Sequence, residues 1–209
     1  EFIPGPLIRG IIVTLQLAGV SSFIAILIGA FTAIGRMSNS IAGRLIATTY
    51  LEIIRNTPLL VQLFMFYFVL APIFEIDRFW AGVLCLAAFE GSFAAEIIRG
   101  GIQAVERGQY EAADATGLSK FNKYRYVIVP QALPLILPPL TGLLISLIKH
   151  SAIVSVIAVA ELTTEGLNLI SDTYMAFEIW FIVAGMYLVL TTSLSVLVNI
   201  LEVRMNKSR

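Results

Sequence analysis

The 209-residue chain is 58% hydrophobic and 13% charged, with a mean hydropathy of +0.88. Soluble domains are far less apolar, so this composition predicts an integral membrane protein with the bilayer as its main solvent. The 14 basic and 14 acidic residues cancel, which argues against nucleic-acid binding. With one cysteine, Cys85, and one histidine, His150, a single chain cannot form a disulfide framework or a multi-histidine metal or haem site.

The first two spans flank a helix of different character. Residues 10–35 are free of charge and exceed the roughly 20 apolar residues needed to cross a bilayer. In residues 41–55, charges recur among apolar residues, which predicts an amphipathic helix on the cytoplasmic surface. The second span follows with Asn56-Thr57-Pro58, which predicts a capping residue and then proline at the first helical position. It ends before Glu75.

The third span, about residues 79–100, contains two carboxylates. A charge inside the membrane is costly, so Glu90 and Glu96 are candidates for a substrate path. Glu90 lies near the middle of the span, where it either binds the ammonium group of a substrate or, protonated or paired, holds helices together. Glu96 lies three residues before Arg99, so an intrahelical ion pair is favoured over contact with a ligand.

A polar loop of about residues 101–128 follows the third span. Gln109 to Thr116 predicts a helix of about two turns, with Gly117 in the left-handed conformation that ends it. Ser119 then caps a second helix, which carries basic residues and runs to Pro130. The Ala-rich surface of the first helix, with Glu111 and Asp114 as acceptors, either docks another protein or is simply a solvated loop helix.

The fourth span, about residues 131–148, contains Pro134, Pro138 and Pro139, which predicts a kinked or interrupted helix. Lys149 at its end either receives a substrate carboxylate or, as we favour, extends to the outer interface or contacts a second subunit. Residues 151–160 are apolar but too few to cross. We expect a short helix packed on the outer side of the bundle; the alternative is an extension of the fourth span that places Lys149 and His150 inside the protein.

The fifth span, residues 179–201, is free of charge. Glu161 and Glu165, which precede it, are interpreted as ordinary external charges. We therefore expect an all-α membrane protein with five transmembrane helices. Residues 1–209 are expected to form a single domain with its core at about residues 10–202.

The basic residues predict the orientation of these spans. With the N-terminus outside and the C-terminus in the cytoplasm, eleven of the 14 basic residues face the cytoplasm, as the positive-inside rule requires. The three on the outside are Arg9, Arg78 and Lys149. The eleven on the inside are Arg36, Arg44, Arg55, Arg99, Arg107, Lys120, Lys123, Arg125, Arg204, Lys207 and Arg209.

Several of these segments resemble one family. Glu111-Ala112-Ala113, Gly117 and Pro130 match the signature loop of the membrane subunits of binding-protein-dependent ABC importers, with Val127 and Val129 in place of Ile and Leu. Other segments resemble the polar amino-acid permeases of that family, and the resemblance as a whole covers about residues 10–202. These segments are EIIRNTPLLVQ (52–62), AEIIRGGI (95–102), GQYEAA (108–113), PQALP (130–134), SVI (155–157) and EL (161–162).

The resemblance implies a type I importer of the bacterial inner membrane. Such an importer combines two five-helix permeases, identical or homologous, with two cytosolic ATPases and an external solute-binding protein that delivers a polar amino acid, with basic ones among the candidates. The loop helix at residues 109–117 is then a coupling helix that sits in a groove of the ATPase. The residues assigned to this role are Tyr110, Glu111, Ala112, Ala113, Asp114 and Gly117.

The chain has no Gly-Lys pair and so lacks the phosphate-binding loop of an ATPase. It is not expected to be an enzyme or to bind a cofactor; ATP and Mg are assigned to the partner ATPase. An alternative is a stand-alone secondary transporter or channel. Such proteins usually have internal repeats and more spans. A membrane-embedded redox or hydrolytic enzyme is disfavoured by the shortage of histidine and cysteine.

Overall fold

The computed structural model describes residues 4–207, which fold into helices joined by short turns. Helices α1, α4, α6 and α8 are each long and apolar enough to cross a membrane. Helices α2 and α3, bent by 107° relative to each other, form the fifth candidate as a pair. The helices are α1 (Pro4–Met37), α2 (Ile41–Arg55), α3 (Leu59–Phe74), α4 (Arg78–Gln103), α5 (Arg107–Ala115), α6 (Lys120–Ile157), α7 (Leu162–Thr173) and α8 (Ala176–Lys207).

Helix α3 is short for a span. Its 16 residues would rise about 24 Å as a regular α-helix, less than the roughly 30 Å of hydrocarbon. The helix begins at Leu59, so Pro58 lies just before it and not at its first position as predicted. Asn56 ends α2 and donates its side-chain N–H to the Glu52 carbonyl at 2.8 Å. The buried Gln62 amide donates to the Ile54 carbonyl at 2.7 Å and thereby holds the bend.

Helix α6 differs from the sequence expectation in where its irregular turns lie. The part from Val129 to His150 is one continuous α-helix despite its three internal prolines, so the helix is not interrupted there, and a kink without a break stays a prediction. The irregular turns lie at its two ends instead, as a π-turn at Tyr124–Ile128 and a 3₁₀ turn at Ser151–Ile157. Packing of buried side chains on both sides of the prolines, including Ala132 and Leu143, keeps the helix together where proline removes a backbone hydrogen bond.

The segment after His150 belongs to the same span. The 3₁₀ turn continues α6 without a break and ends at Ala158, which has a φ of 54°. Val154 and Ile157 are buried in the core with Leu86, because their apolar side chains pack between α1 and α4 rather than on the outer surface. The separate outer helix that we favoured was therefore wrong. The segment extends the fourth span, as in the alternative, but Lys149 stays exposed and His150 is only half-buried.

Close contact between α1 and α4 organises the bundle. A Cβ atom on Gly29 would lie 2.6 Å from the Ala94 Cβ, and one on Gly91 would lie 2.9 Å from a methyl carbon of Ile28. Small residues at such positions let two helix backbones approach, and the resulting van der Waals contact holds helices together in lipid. In the apolar stretch of α4, 61% is buried within the chain, compared with 6% in that of α8, so α8 lies at the periphery.

Candidate functional site

The loop helix α5 is terminated as the sequence predicted. Gly117 has a φ of 72°, a conformation that costs glycine little. The Gly117 N–H donates to the Asp114 carbonyl at 3.0 Å, and the Leu118 N–H donates to the Ala113 carbonyl at 3.3 Å. Together these bonds form a Schellman motif, which satisfies the last carbonyls of the helix. Ser119 then starts α6 by accepting from the Asn122 N–H at 3.3 Å.

The outward face of α5 is open. Glu111, Ala112 and Asp114 are exposed, whereas Ala113 is buried and Tyr110 is half-buried. The small Ala112 side chain leaves the backbone accessible between two carboxylates, a surface to which another protein can approach closely. The sequence predicted a helix here, but the helix begins two residues earlier than Gln109 and ends one residue before Thr116. Of the residues assigned to docking, Ala113 lies on the buried side.

Two uncharged side-chain hydrogen bonds join α5 to the membrane helices. The Tyr110 hydroxyl donates to the Ile102 carbonyl at the end of α4, at 2.8 Å. The Gln131 amide in α6 donates to the Gln109 side-chain oxygen at 3.0 Å. Burial, assisted by the neighbouring Tyr124, raises the pKa of Tyr110, so its hydroxyl stays protonated and keeps this bond at neutral pH. A displacement of α5 would therefore move the ends of α4 and α6.

The two carboxylates of α5 are already paired within the chain, which the sequence interpretation did not foresee. The Asp114 carboxylate accepts from the Lys123 ammonium at 2.6 Å, a contact that closes the turn between α5 and α6. Glu111 pairs with Arg107 at 3.1 Å, one helical turn earlier, and both side chains are highly exposed. Since exposed pairs of this kind contribute little, Glu111 remains available to a partner. Asp114 closes the turn, but its side chain is also 59% exposed.

Glu90 is buried and paired. Its side chain is 3% exposed, and its Oε1 lies 2.5 Å from Nδ1 of His150, whose side chain is 43% exposed. Lys149 is adjacent to His150 in sequence but lies on an exposed face of α6. The structure thus brings Glu90 and His150 together near the middle of the bundle. Across residues 4–207, no group of three or more His, Cys, Asp or Glu side chains is placed to hold a metal ion.

Glu96 belongs to a different cluster. Its two carboxylate oxygens each lie 2.6 Å from an arginine, Arg99 on the same helix and Arg36 at the end of α1. The pair with Arg99 was predicted from the spacing. The pair with Arg36 was not, because 60 residues separate the two positions and no local pattern joins them. Glu96 therefore fastens α1 to α4 and does not lie with Glu90.

Glu161, which we interpreted as an external charge, does not lie on the surface. It is fully buried, and its carboxylate accepts from the backbone N–H groups of Thr163 and Thr164 at 2.9 and 2.8 Å. The Tyr187 hydroxyl of α8 donates to it at 2.7 Å. Glu161 is the residue that caps α7, a role for which glutamate is uncommon, so no residue pattern indicates this cap. It joins α7 to α8.

A family model described as "Binding-protein-dependent transport system inner membrane component" matches residues 25–207. The chain belongs to this family. This family member is 41% identical over 164 residues to the "Probable glutamine ABC transporter permease protein GlnM" of Bacillus subtilis, covering 78% of the chain and 76% of the relative.

Two further matches cover almost the full length. The glutamine transport system permease protein GlnP of Escherichia coli is 38% identical over 202 residues, which is 95% of this family member and 92% of GlnP. A crystal structure of an amino acid ABC transporter with histidines superposes with a TM-score of 0.89 at 44% identity, covering 95% of this chain and 94% of that one. The predicted importer-permease fold and function are confirmed, and the stand-alone carrier is disfavoured.

Proposed function

We propose that this chain forms the translocation path of an ATP-driven importer for polar amino acids and receives the ATPase through α5. The observation that carries the proposal is the geometry of α5, an exposed helix whose buried side is bonded to both α4 and α6. Relatives named for glutamine or amino-acid transport support the substrate class.

The family and the distribution of charges support an assembly of several subunits around this chain. Two ATPases would dock at the α5 face and hydrolyse ATP with Mg, while a second permease copy or homologue would complete the path. A solute-binding protein would deliver the amino acid on the opposite side. The distribution of basic residues supports an α5 face in the cytoplasm of a bacterial cell, with the N-terminus outside. Arg209, one of the residues counted, lies outside the described part of the chain.

The coupling role is tested by removing the free carboxylate from α5. Glu111→Ala should reduce ATP-driven uptake about tenfold, equivalent to about 1.4 kcal/mol of coupling, because the helix loses a contact with the ATPase while its fold is kept. The measurement is uptake and ATP hydrolysis in proteoliposomes that contain the complete transporter. Glu106→Ala is the matched control, since it removes an exposed carboxylate just before the helix. Equal uptake by the two variants would contradict the coupling role.

The substrate path is proposed to include Glu90. A buried carboxylate suits the ammonium group of an amino acid or a cationic side chain, and here it is occupied by His150. A cationic substrate group would therefore bind by taking the place of the imidazole. Lys149, exposed beside His150, is the corresponding candidate for the substrate carboxylate. Glu96 is excluded from the proposed path because two arginines already hold it.

Glu90→Gln tests this path. The amide keeps the size of the side chain but loses the charge, so stimulation of ATP hydrolysis by basic amino acids should fall relative to neutral ones, each supplied with its binding protein. His150→Ala leaves the carboxylate and should not reproduce that change in preference. Lys149→Gln tests the carboxylate site in the same assay. An unchanged preference in Glu90→Gln would limit Glu90 to its structural pair with His150.

A further inference from the structure

An apolar groove lies beside the α5 end of the bundle, between α1, α4 and α6. Its volume is about 810 Å³, within the range of about 300–1,000 Å³ that is typical of ligand sites. The side chains that line it are mostly aliphatic, and they include Ile26, Ile34, Ile98, Leu133, Ile136 and Leu140. Its polar lining residues are Ser38, Lys120 and Tyr124. The groove is therefore apolar apart from these three side chains.

Lys120 places a positive charge at the edge of this groove. It is exposed, and no carboxylate of the described residues forms an ion pair with it. The neighbouring Lys123 differs, because it is held by Asp114 at 2.6 Å. The ammonium group of Lys120 is thus available to an anion from outside the chain, whereas that of Lys123 is already neutralised.

The surface beside Lys120 has the character of a membrane interface. Phe121 and Tyr126 are 70% and 63% exposed, and the Arg125 guanidinium lies 5.9 and 5.4 Å from the centres of their rings. Exposed aromatic rings next to basic side chains are typical of the headgroup level of a bilayer. The groove therefore runs from the headgroup level into the apolar depth of the membrane.

We infer that the groove binds one acyl chain of an anionic phospholipid whose phosphate group is bound by Lys120. Basic pockets between membrane helices bind anionic headgroups in this way. A second copy of the chain fits less well, because an apolar protein surface would bury the Lys120 ammonium without a partner. The inference does not depend on the proposed transport function. With the predicted orientation of the chain, this lipid would lie in the cytoplasmic leaflet.

Native mass spectrometry of the purified transporter complex tests the site with two probes of identical acyl chains, dioleoyl phosphatidylglycerol and dioleoyl phosphatidylcholine. The wild type should retain the anionic lipid preferentially. Lys120→Gln should reduce that preference about fivefold, the effect expected for one basic residue near an anionic lipid. The control Arg107→Gln removes an exposed charge from the same loop, where Arg107 faces Glu111 rather than the groove, and should leave the preference unchanged.

Leu133→Trp tests the groove itself by filling it. It should abolish retention of phosphatidylglycerol, whereas Leu135→Trp, on the same helix and similarly exposed but outside the groove lining, should not. Equal retention of the lipid by these two variants would overturn the inference. A Leu133→Cys variant that cross-links to a second copy of the chain across the groove would also overturn it, since the groove would then be a subunit interface.

Discussion

At the scale of single residues, three embedded carboxylates are satisfied in different ways. Glu90 faces one imidazole, Glu96 faces two guanidinium groups, and Glu161 accepts from N–H and hydroxyl groups. Burial of an ionised carboxylate is costly unless donors or cations compensate it. Glu161 has no cation among these contacts, and burial raises its pKa despite the donors from Thr163, Tyr187 and Thr164.

This raised pKa predicts a pH dependence of stability. The native protein binds the Glu161 proton more tightly than the unfolded chain does, so the associated stability is full below the ordinary glutamate pKa of about 4.3 and is lost as pH rises through the higher native value. Glu161→Gln has no ionisable group at this position, so it should not lose this stability as pH rises. Its melting temperature relative to the wild type should therefore rise between pH 4 and pH 8, by about 2–4 °C for each kcal/mol.

A second variant should change the pH dependence of stability in the opposite direction. Tyr187→Phe removes a hydroxyl donor that lowers the pKa of Glu161, so the decline in stability towards high pH should become steeper than in the wild type. Thermal denaturation in detergent across the same pH series measures both variants. A melting-temperature difference between Glu161→Gln and the wild type that stays constant with pH would contradict the prediction.

At the scale of elements, the short polar helix α5 is held in a fixed position by its neighbours. Its C-terminal turn is held by the left-handed Gly117, and its sides are bonded to Ile102 and Gln131. A free helix of this length would be marginal in water. The contacts with α4 and α6 are therefore what make its outward face a fixed surface.

The two glycines of this region should respond oppositely to alanine. Gly117→Ala should destabilise the loop by about 1–2 kcal/mol, because a Cβ is unfavourable in the left-handed region. Gly108→Ala, inside α5 and with nothing within 4 Å of the added Cβ, should be neutral or stabilise by up to about 1 kcal/mol. Hydrogen exchange of the α5 amides measures both effects. Equal protection in the two variants would show that the turn does not depend on the conformation of Gly117.

At the scale of the whole molecule, the helices are held unequally. Helices α1 and α4 form the tightly packed centre, while α8 is mostly exposed in the single chain. In lipid, association depends on close packing and on polar contacts between helices. The Arg36–Glu96 pair and the contacts at Gly29 and Gly91 supply both kinds of interaction between α1 and α4.

The glycine contact predicts a strong effect of added volume. Gly29→Val should destabilise the bundle by about 1–3 kcal/mol, the usual cost of overpacking, because even a Cβ would overlap Ala94. Gly19→Val is the control on the same helix, where nothing lies within 4 Å. The yield and thermal stability of the purified protein should fall for the first variant only. A similar loss for both would indicate that valine itself, rather than the contact, causes the effect.

Hydropathy, charge placement and turn residues are local properties, and they were sufficient for the four long spans, the amphipathic α2 and the left-handed Gly117 that ends the loop helix. The wrong interpretations concern longer-range packing. Whether the prolines interrupt α6, where residues 151–157 lie and whether Glu161 is exposed all depend on neighbouring helices. The same holds for Glu90 with His150, since 60 residues separate them. Such contacts form only once the helices pack, so their geometry cannot be read from any one segment.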